Sequence, residues 1–230
     1  SNIGIAKVAA RLGPKSLYQY LTAFGFGERS GVELPGELSG LLRPVRQWNE
    51  KFSMTSIPMG QEVSVTPLQL ATAFSAIVNG GILVRPRLAR SLSTPAGRVM
   101  KTFPVEPRCR VIRKETSDTM REILAGVVTR GTGKQAACKE YAVGGKTGTA
   151  QIAGPGGYEE DRYVSSFCGF APVEAPRLVV LVTVTEPQGV HYGGTVSAPA
   201  VGAILREALL HLGVPPRVAA DLELASAEDR

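Results

Sequence analysis

The part of this sequence best suited to chemistry is the segment Gly144–Gln151, which reads GGKTGTAQ. Its first six residues combine one lysine, two threonine hydroxyls and three glycines. Glycine lets a ligand approach the backbone, an ammonium supplies positive charge, and hydroxyls donate hydrogen bonds. The segment therefore predicts a site for an anionic group.

One kind of anion site that contains such residues is a phosphate-binding P-loop. That motif requires the pattern G-x-x-x-x-G-K-[ST]. Here Glu140 stands where the first glycine is needed, and a strand-like run rather than a helix follows Lys146. The stretch Gly131–Lys134 fails as well, because Gln135 stands where Ser or Thr is needed. These departures exclude a P-loop.

A second kind of site is the K-T-G triplet of penicillin-recognising serine acyltransferases, which accompanies the motifs S-x-x-K and S-x-N. Residues 146–148 have this sequence. A lone triplet is a weak signal, since any three residues recur by chance. A glycine-rich strand end with a solvated lysine explains it equally well, so the triplet alone leaves both interpretations open.

Three strand-like segments must position this triplet, at residues 142–150, 163–172 and 177–185. A tight connection at Glu174–Pro176 joins the last two, which predicts an antiparallel hairpin. The third segment is almost continuously apolar, which indicates a sheet that is covered on both faces.

Helices are predicted before, between and after these strands. Asn2 and Ser117 are predicted as N-caps of two helices, and Thr66-Pro67 and Ser197–Pro199 open two more. Two strands are expected between residues 82 and 103. Helices packed on an antiparallel sheet define an α+β or α/β fold.

Further segments, in the correct order along the chain, resemble class B penicillin-binding proteins. The resemblance is quite specific and covers roughly residues 1–213, as the C-terminal half of the transpeptidase domain of a cell-division or sporulation enzyme. The segments are Ser1–Gly4, Gly60–Ala71, Asn79–Gly81, Arg130–Gly133, Lys146–Gly148 and Gly169–Pro172.

The resemblance implies the fold of penicillin-binding proteins and serine β-lactamases, an antiparallel sheet with packed helices, incomplete here on its N-terminal side. Residues 1–213 would form the C-terminal part of the transpeptidase domain. Residues 217–230 are polar and mixed in charge, and we expect residues 214–230 to form a C-terminal tail.

The resemblance also implies roles for five residues. Asn2 and Lys146 are the expected catalytic residues: Asn2 hydrogen-bonds the acyl-side amide of the substrate, and Lys146 supplies positive potential near the nucleophile. Thr147, Gly148 and Thr149 are the expected substrate-binding residues. The two threonine hydroxyls hold the carboxylate of a terminal D-Ala or of a β-lactam, and the Thr149 N–H is an oxyanion donor.

One motif of the family is missing from this chain, because no lysine has a serine three residues before it. We expect the S-x-x-K nucleophile segment to precede Ser1 in a longer parent protein. The function implied is a peptidoglycan D,D-transpeptidase. The alternatives are a non-catalytic binding or interaction module, and a D,D-carboxypeptidase or β-lactamase.

Composition is that of an ordinary globular domain, with 43% hydrophobic and 20% charged residues. The net charge is +6 and its charges look evenly spread with few aromatics, so we expect no nucleic-acid partner. The three cysteines and two histidines lack metal-ligand spacing. We therefore expect no metal and no cofactor, and we expect His191 to be a solvated loop residue.

The resemblance implies peptidoglycan stem peptides and β-lactams as ligands, and other cell-wall synthesis proteins as partners of the parent protein. It places the domain at the extracytoplasmic face of the bacterial inner membrane, with the anchor in the parent. No stretch of this chain reaches the ~18 apolar residues that span a bilayer.

Overall fold

The computed structural model describes residues 1–154 and 157–217. The chain divides into two compact units, Ser1–Lys114 and Glu115–Arg230. Within the described residues, no helix is both long and apolar enough to cross a membrane.

The first unit begins with two consecutive helices, α1 (Asn2–Leu12) and α2 (Pro14–Ala23). Ser1 rather than Asn2 is the N-cap of α1, because its hydroxyl accepts a hydrogen bond from the Gly4 N–H at 3.3 Å. The prediction that Asn2 caps this helix is therefore wrong by one residue. Ser and Asn are equally good caps, and here the serine comes first.

A long connection follows, with 3₁₀ turns at Val45–Gln47 and Ile57–Met59 and a short helix α3 (Ser53–Ser56). Helix α4 (Pro67–Val78) then begins as predicted. The Thr66 hydroxyl accepts from the Gln69 N–H at 3.1 Å, and the Gln69 side chain accepts from the Thr66 N–H at 2.8 Å. This capping box satisfies two N–H groups at the start of the helix.

Four short strands complete the first unit: β1 (Ile82–Val84), β2 (Ser91–Ser93), β3 (Val99–Thr102) and β4 (Pro107–Arg110). β2 and β3 form an antiparallel hairpin, whereas β1 pairs with β4. The prediction of two strands between residues 82 and 103 is wrong, because this range contains three strands, β1, β2 and β3. The prediction also missed β4 and its pairing with β1. The partner strand of β1 follows the β2–β3 hairpin in the sequence, and local residue patterns do not reveal pairing between strands that are distant in the chain.

The second unit is built around helix α5 (Lys114–Thr129) and a three-stranded sheet. The prediction that Ser117 caps α5 is wrong, since the helix begins at Lys114 and Ser117 is fully buried within its first turn. Glu115 in that turn has the charge that a helix N-terminus favours. A 3₁₀ turn, Lys134–Ala136, follows the helix.

The sheet contains β5 (Gly144–Gly154), β6 (Gly157–Ala171) and β7 (Leu178–Thr185), all antiparallel and in the order β5-β6-β7. The three predicted strands and the β6–β7 hairpin are confirmed. β6 begins at Gly157, six residues before the predicted start. Its exposed first residues pair with the end of β5, with Tyr158 opposite Ala153.

Two helices close the unit, α6 (Gly193–Val196) and α7 (Ala198–His211). α7 packs on β6 and β7, and the core between them contains Phe167, Val201, Leu205 and Leu209, all fully buried. The predicted architecture of helices on an antiparallel sheet is confirmed.

The predicted tail, residues 214–230, is described only as far as Arg217. The Tyr141 hydroxyl donates to the Val214 carbonyl at 2.7 Å, and the Arg217 N–H donates to the Glu140 carbonyl at 2.8 Å. Residues 218–230 lie outside the described part of the chain, so the tail stays a prediction.

Candidate active site

The predicted anion-binding segment lies on β5, which is an edge strand of the described sheet. Its register places Lys146 opposite Cys168, Thr147 opposite Phe167 and Thr149 opposite Ser165. Alternate side chains of a strand point to opposite faces, so the two threonines lie on the same face. An edge strand also leaves backbone groups unpaired and available to a ligand.

Packing accounts for the glycines on this strand. A Cβ atom at Gly144 would lie 2.5 Å from the ring of Phe170, and one at Gly145 would lie 2.5 Å from the ring of Phe167. A Cβ at Gly148 would overlap the Ser166 hydroxyl. Because β6 residues occupy these spaces, glycine lets β5 approach β6. The expected role of Gly148 in substrate binding stays a prediction.

The Lys146 side chain folds back along the strand. Its Nζ donates to the Thr147 carbonyl at 2.7 Å and lies 3.5 Å from the Thr147 hydroxyl. Although the residue as a whole is exposed, partial desolvation lowers the pKa of its ammonium from the usual value. A cation that is incompletely hydrated beside a hydroxyl is well suited to meet an incoming anion.

The Thr147 hydroxyl has a partner that sequence reasoning missed as a site residue. Thr132 follows α5, and its hydroxyl oxygen lies 2.9 Å from that of Thr147, with either able to donate. The only signal in the sequence was the stretch Arg130–Gly133, which contributed to the family resemblance and to nothing else. The pair brings a second hydroxyl to the edge of the sheet.

The Thr149 hydroxyl is held by Gly193, the first residue of α6. The Gly193 N–H donates to the Thr149 Oγ1 at 3.3 Å. Gly193 is buried, and a Cβ there would lie 2.5 Å from the Gly148 carbonyl oxygen. Because a lone pair of the threonine oxygen accepts this bond, its own proton remains available to donate to a ligand.

A ring stack lies on the loop that leads into α6. The rings of Tyr163 and His191 are 4.0 Å apart and within 8° of parallel. The Ser165 hydroxyl donates to the His191 carbonyl, and the Ser197 hydroxyl donates to the Ser165 carbonyl at 3.2 Å. His191 is half-buried. His191 lies in a loop, as predicted, but it is only partly solvated, because the stack with Tyr163 covers one side of its ring.

Asn2 belongs to the first unit and Lys146 to the second. Asn2 is exposed on the first turn of α1 and borders a mainly apolar groove of about 390 Å³, together with Met54 and Met59. That Asn2 and Lys146 serve one cleft stays a prediction.

The chemistry of the second-unit site is that of anion recognition. It offers one ammonium, three hydroxyls and an unpaired strand edge. One proton of the Thr132–Thr147 pair is used in the hydrogen bond between them, so two of the three hydroxyls can donate to a carboxylate, together with the ammonium and the strand edge. Across residues 1–154 and 157–217, no three His, Cys, Asp or Glu side chains cluster as a metal would require.

The profile of a family described as "Penicillin binding protein transpeptidase domain" matches residues 1–206. Stage V sporulation protein D of Bacillus subtilis is 44% identical over 219 residues, which are 94% of this chain and 34% of that protein. Peptidoglycan D,D-transpeptidase FtsI of Escherichia coli is 34% identical over 218 residues, covering 94% of this chain and 35% of that protein.

A solved structure, penicillin-binding protein 3 of Mycobacterium tuberculosis complexed with aztreonam, superposes with a TM-score of 0.85 at 35% identity. The match covers 95% of this chain and 51% of that one. The chain thus spans about a third of the length of the two curated relatives and about half of the crystallised protein.

Proposed function

This chain belongs to the penicillin-binding protein transpeptidase family, and we propose that it is the C-terminal part of the transpeptidase domain of a longer peptidoglycan D,D-transpeptidase. The observation that carries this proposal is the arrangement on β5. Lys146, Thr147 and Thr149 lie in a four-residue stretch of the edge strand β5. The two threonine hydroxyls form hydrogen bonds with Thr132 and Gly193.

The reaction is serine acyl transfer. In the intact protein a serine attacks the carbonyl of the D-Ala–D-Ala bond, D-Ala leaves, and an acyl-enzyme forms. The amine of a neighbouring stem peptide then attacks the ester, which releases the serine and forms the cross-link. This chain has no lysine with a serine three residues before it. In this proposal the nucleophile and its base are supplied by another part of the protein.

The residues of this chain bind and orient the substrate. The Thr147 and Thr149 hydroxyls donate to the terminal carboxylate of the stem peptide, and the Lys146 ammonium attracts it. The Thr149 N–H donates to the oxygen of the attacked carbonyl as negative charge develops there. A preorganised donor of this kind contributes about 3–4 kcal/mol to lowering the barrier. Asn2 holds the amide on the acyl side.

β-Lactams would acylate the same serine, because their carboxylate and strained carbonyl present the same two groups to this strand. The M. tuberculosis relative was crystallised with aztreonam. We propose the extracytoplasmic face of the inner membrane as the location, with the membrane anchor and the contacts to other cell-wall synthesis proteins in the rest of the parent protein.

A non-catalytic binding module is the second candidate function, and the missing S-x-x-K motif is the observation that favours it. Incubation with a fluorescent penicillin, followed by denaturing electrophoresis and intact-mass measurement, separates the two. We expect a stoichiometric adduct on the full-length protein and none on these 230 residues alone. A full-length protein that folds and stays unlabelled would establish the binding module instead.

A further inference from the structure

Positive charge is concentrated in one segment of the first unit, residues 82–114, which we call the basic ribbon. It contains nine Lys or Arg residues and one acidic residue, Glu106, for a net charge of +8. The whole chain has a net charge of +6. The even spread of charge expected from composition is therefore wrong, since the remaining residues together are slightly acidic.

Few of these cations are neutralised by the chain itself. Arg85 pairs with Glu106 at 3.2 Å, and Arg108 pairs with Glu28 at 3.4 Å, all with exposed side chains. Arg90, Arg98 and Lys101 are exposed, and among the described residues no carboxylate lies within 4.0 Å of them. Three like charges are thus held on one hairpin with no counter-charge of their own.

The hairpin β2–β3 that carries these charges is exposed on both faces. Leu92 lies opposite Lys101 and shares its face, whereas Met100, the neighbour of Lys101 on β3, points to the other face. Leu92, Val99 and Met100 are each 58% exposed. In the described chain β2 and β3 pair only with each other, so the outer edge of β3 is open.

An isolated two-stranded hairpin with apolar side chains exposed on both faces has only marginal stability in water. An open edge of this kind is a template for a further strand. We propose that the basic ribbon docks an extended acidic segment of a partner protein, which adds to the outer edge of β3 and places carboxylates against Arg90, Arg98 and Lys101.

The geometry favours an acidic protein segment as the partner over an anionic membrane surface or a nucleic acid. A bilayer surface takes up the apolar side chains of one face, whereas Leu92 and Met100 point to opposite faces. Single-stranded nucleic acid is bound by cations together with aromatic side chains on which the bases stack. The ribbon has a single aromatic residue, Phe103, and the Lys101 ammonium lies 4.7 Å from the centre of its ring.

The test is fluorescence anisotropy of a fluorescein-labelled ten-residue peptide of alternating Glu and Val, titrated with the full-length protein at physiological salt. The ribbon variant carries Arg90→Glu, Arg98→Glu and Lys101→Glu. A matched control carries Arg11→Glu, Lys15→Glu and Lys51→Glu, three exposed cations of the same unit, and has the same net charge. We expect saturable binding that the ribbon variant weakens about tenfold or more and the control leaves within about twofold.

Hydrogen exchange on the unmodified protein supplies a second measurement, with the peptide expected to protect amides in residues 99–102. Three results would overturn the proposal: no saturable binding, equal weakening by both triple variants, or displacement of the peptide by phosphatidylglycerol vesicles or a single-stranded oligonucleotide at lower concentration than by unlabelled peptide. Penicillin acylation should be unchanged in the ribbon variant. The proposal is therefore independent of the proposed activity.

Discussion

The Thr132 hydroxyl lies 2.9 Å from the Thr147 hydroxyl, across a separation of fifteen residues in the chain. This contact joins the loop after α5 to the edge strand β5. It makes Thr132 a positioning residue for Thr147, since the hydrogen bond limits the directions in which the Thr147 hydroxyl can point. The contribution of this hydrogen bond can be measured with two substitutions. Serine keeps the hydroxyl, whereas valine replaces it with a methyl group.

Replacing Thr132 with valine should slow β-lactam acylation of the full-length protein by roughly five- to tenfold. One hydrogen bond contributes about 1 kcal/mol, and the methyl group that replaces the hydroxyl preserves the packing. The measurement is the second-order rate constant of acylation by a fluorescent penicillin. Thr132→Ser is the control and should retain most of the rate. Equal rates for the serine and valine variants would show that Thr132 does not position Thr147 for acylation.

The pH dependence of acylation should report the Lys146 ammonium. Desolvation lowers its pKa, so the positive charge is lost at a lower pH than for an ordinary lysine as the pH rises. We expect the alkaline decline in acylation rate to move to higher pH in Lys146→Arg, because a guanidinium stays charged. Lys139→Arg, at an exposed position, should leave the profile unchanged. Superimposable alkaline limbs for the wild type and Lys146→Arg would contradict this role.

The three cysteines should react with iodoacetamide in the order of their accessibility. Cys109 is exposed and Cys138 is partly buried, whereas Cys168 is buried and desolvation raises the pKa of its thiol to about 12. The thiolate is the reactive form. At pH 8 we expect rapid labelling of Cys109, and labelling of Cys168 only after unfolding, as followed by peptide mass spectrometry. If native Cys168 were labelled as fast as Cys109, the burial of the Cys168 side chain on β6 would be contradicted.

Gly144→Ala should lower the free energy of unfolding by about 1–3 kcal/mol, because the new methyl group would lie 2.5 Å from the buried Phe170 ring. Chemical denaturation measures the change. Gly126→Ala is the matched control, since Gly126 lies inside α5 with only the flexible Arg130 side chain nearby, at 3.6 Å. There alanine should be neutral or stabilise by about 1 kcal/mol. A neutral Gly144→Ala would show that β5 does not need glycine at this position.

Local features of the fold were predictable from the sequence, and features that depend on distant contacts were not. The start of α4 was predicted because its N-cap residue, Thr66, and its first residue, Pro67, are adjacent in the sequence. The partner of β1 was missed because β4 lies beyond a complete hairpin. The cap of α1 was misplaced by one residue because Ser1 and Asn2 are adjacent and equally suited to the role.

The same distinction holds for the candidate site. Lys146, Thr147 and Thr149 were identified because the chemistry-bearing residues are adjacent in the chain. Thr132 and Gly193 were missed because only folding brings them to β5. The glycines around the triplet were predicted to admit a ligand, yet the spaces beside them are filled by β6 residues that no local pattern reveals.

The central claim is that β5 acts in acyl transfer, and the acylation rate of Lys146→Ala in the full-length protein tests it most directly. Lys139→Ala, which removes an exposed ammonium outside the triplet, is the control. We predict a drop of about 100-fold or more for Lys146→Ala with unchanged thermal stability, because an exposed side chain is lost from the site and not from the core. An unchanged rate in a well-folded Lys146→Ala protein would contradict the claim.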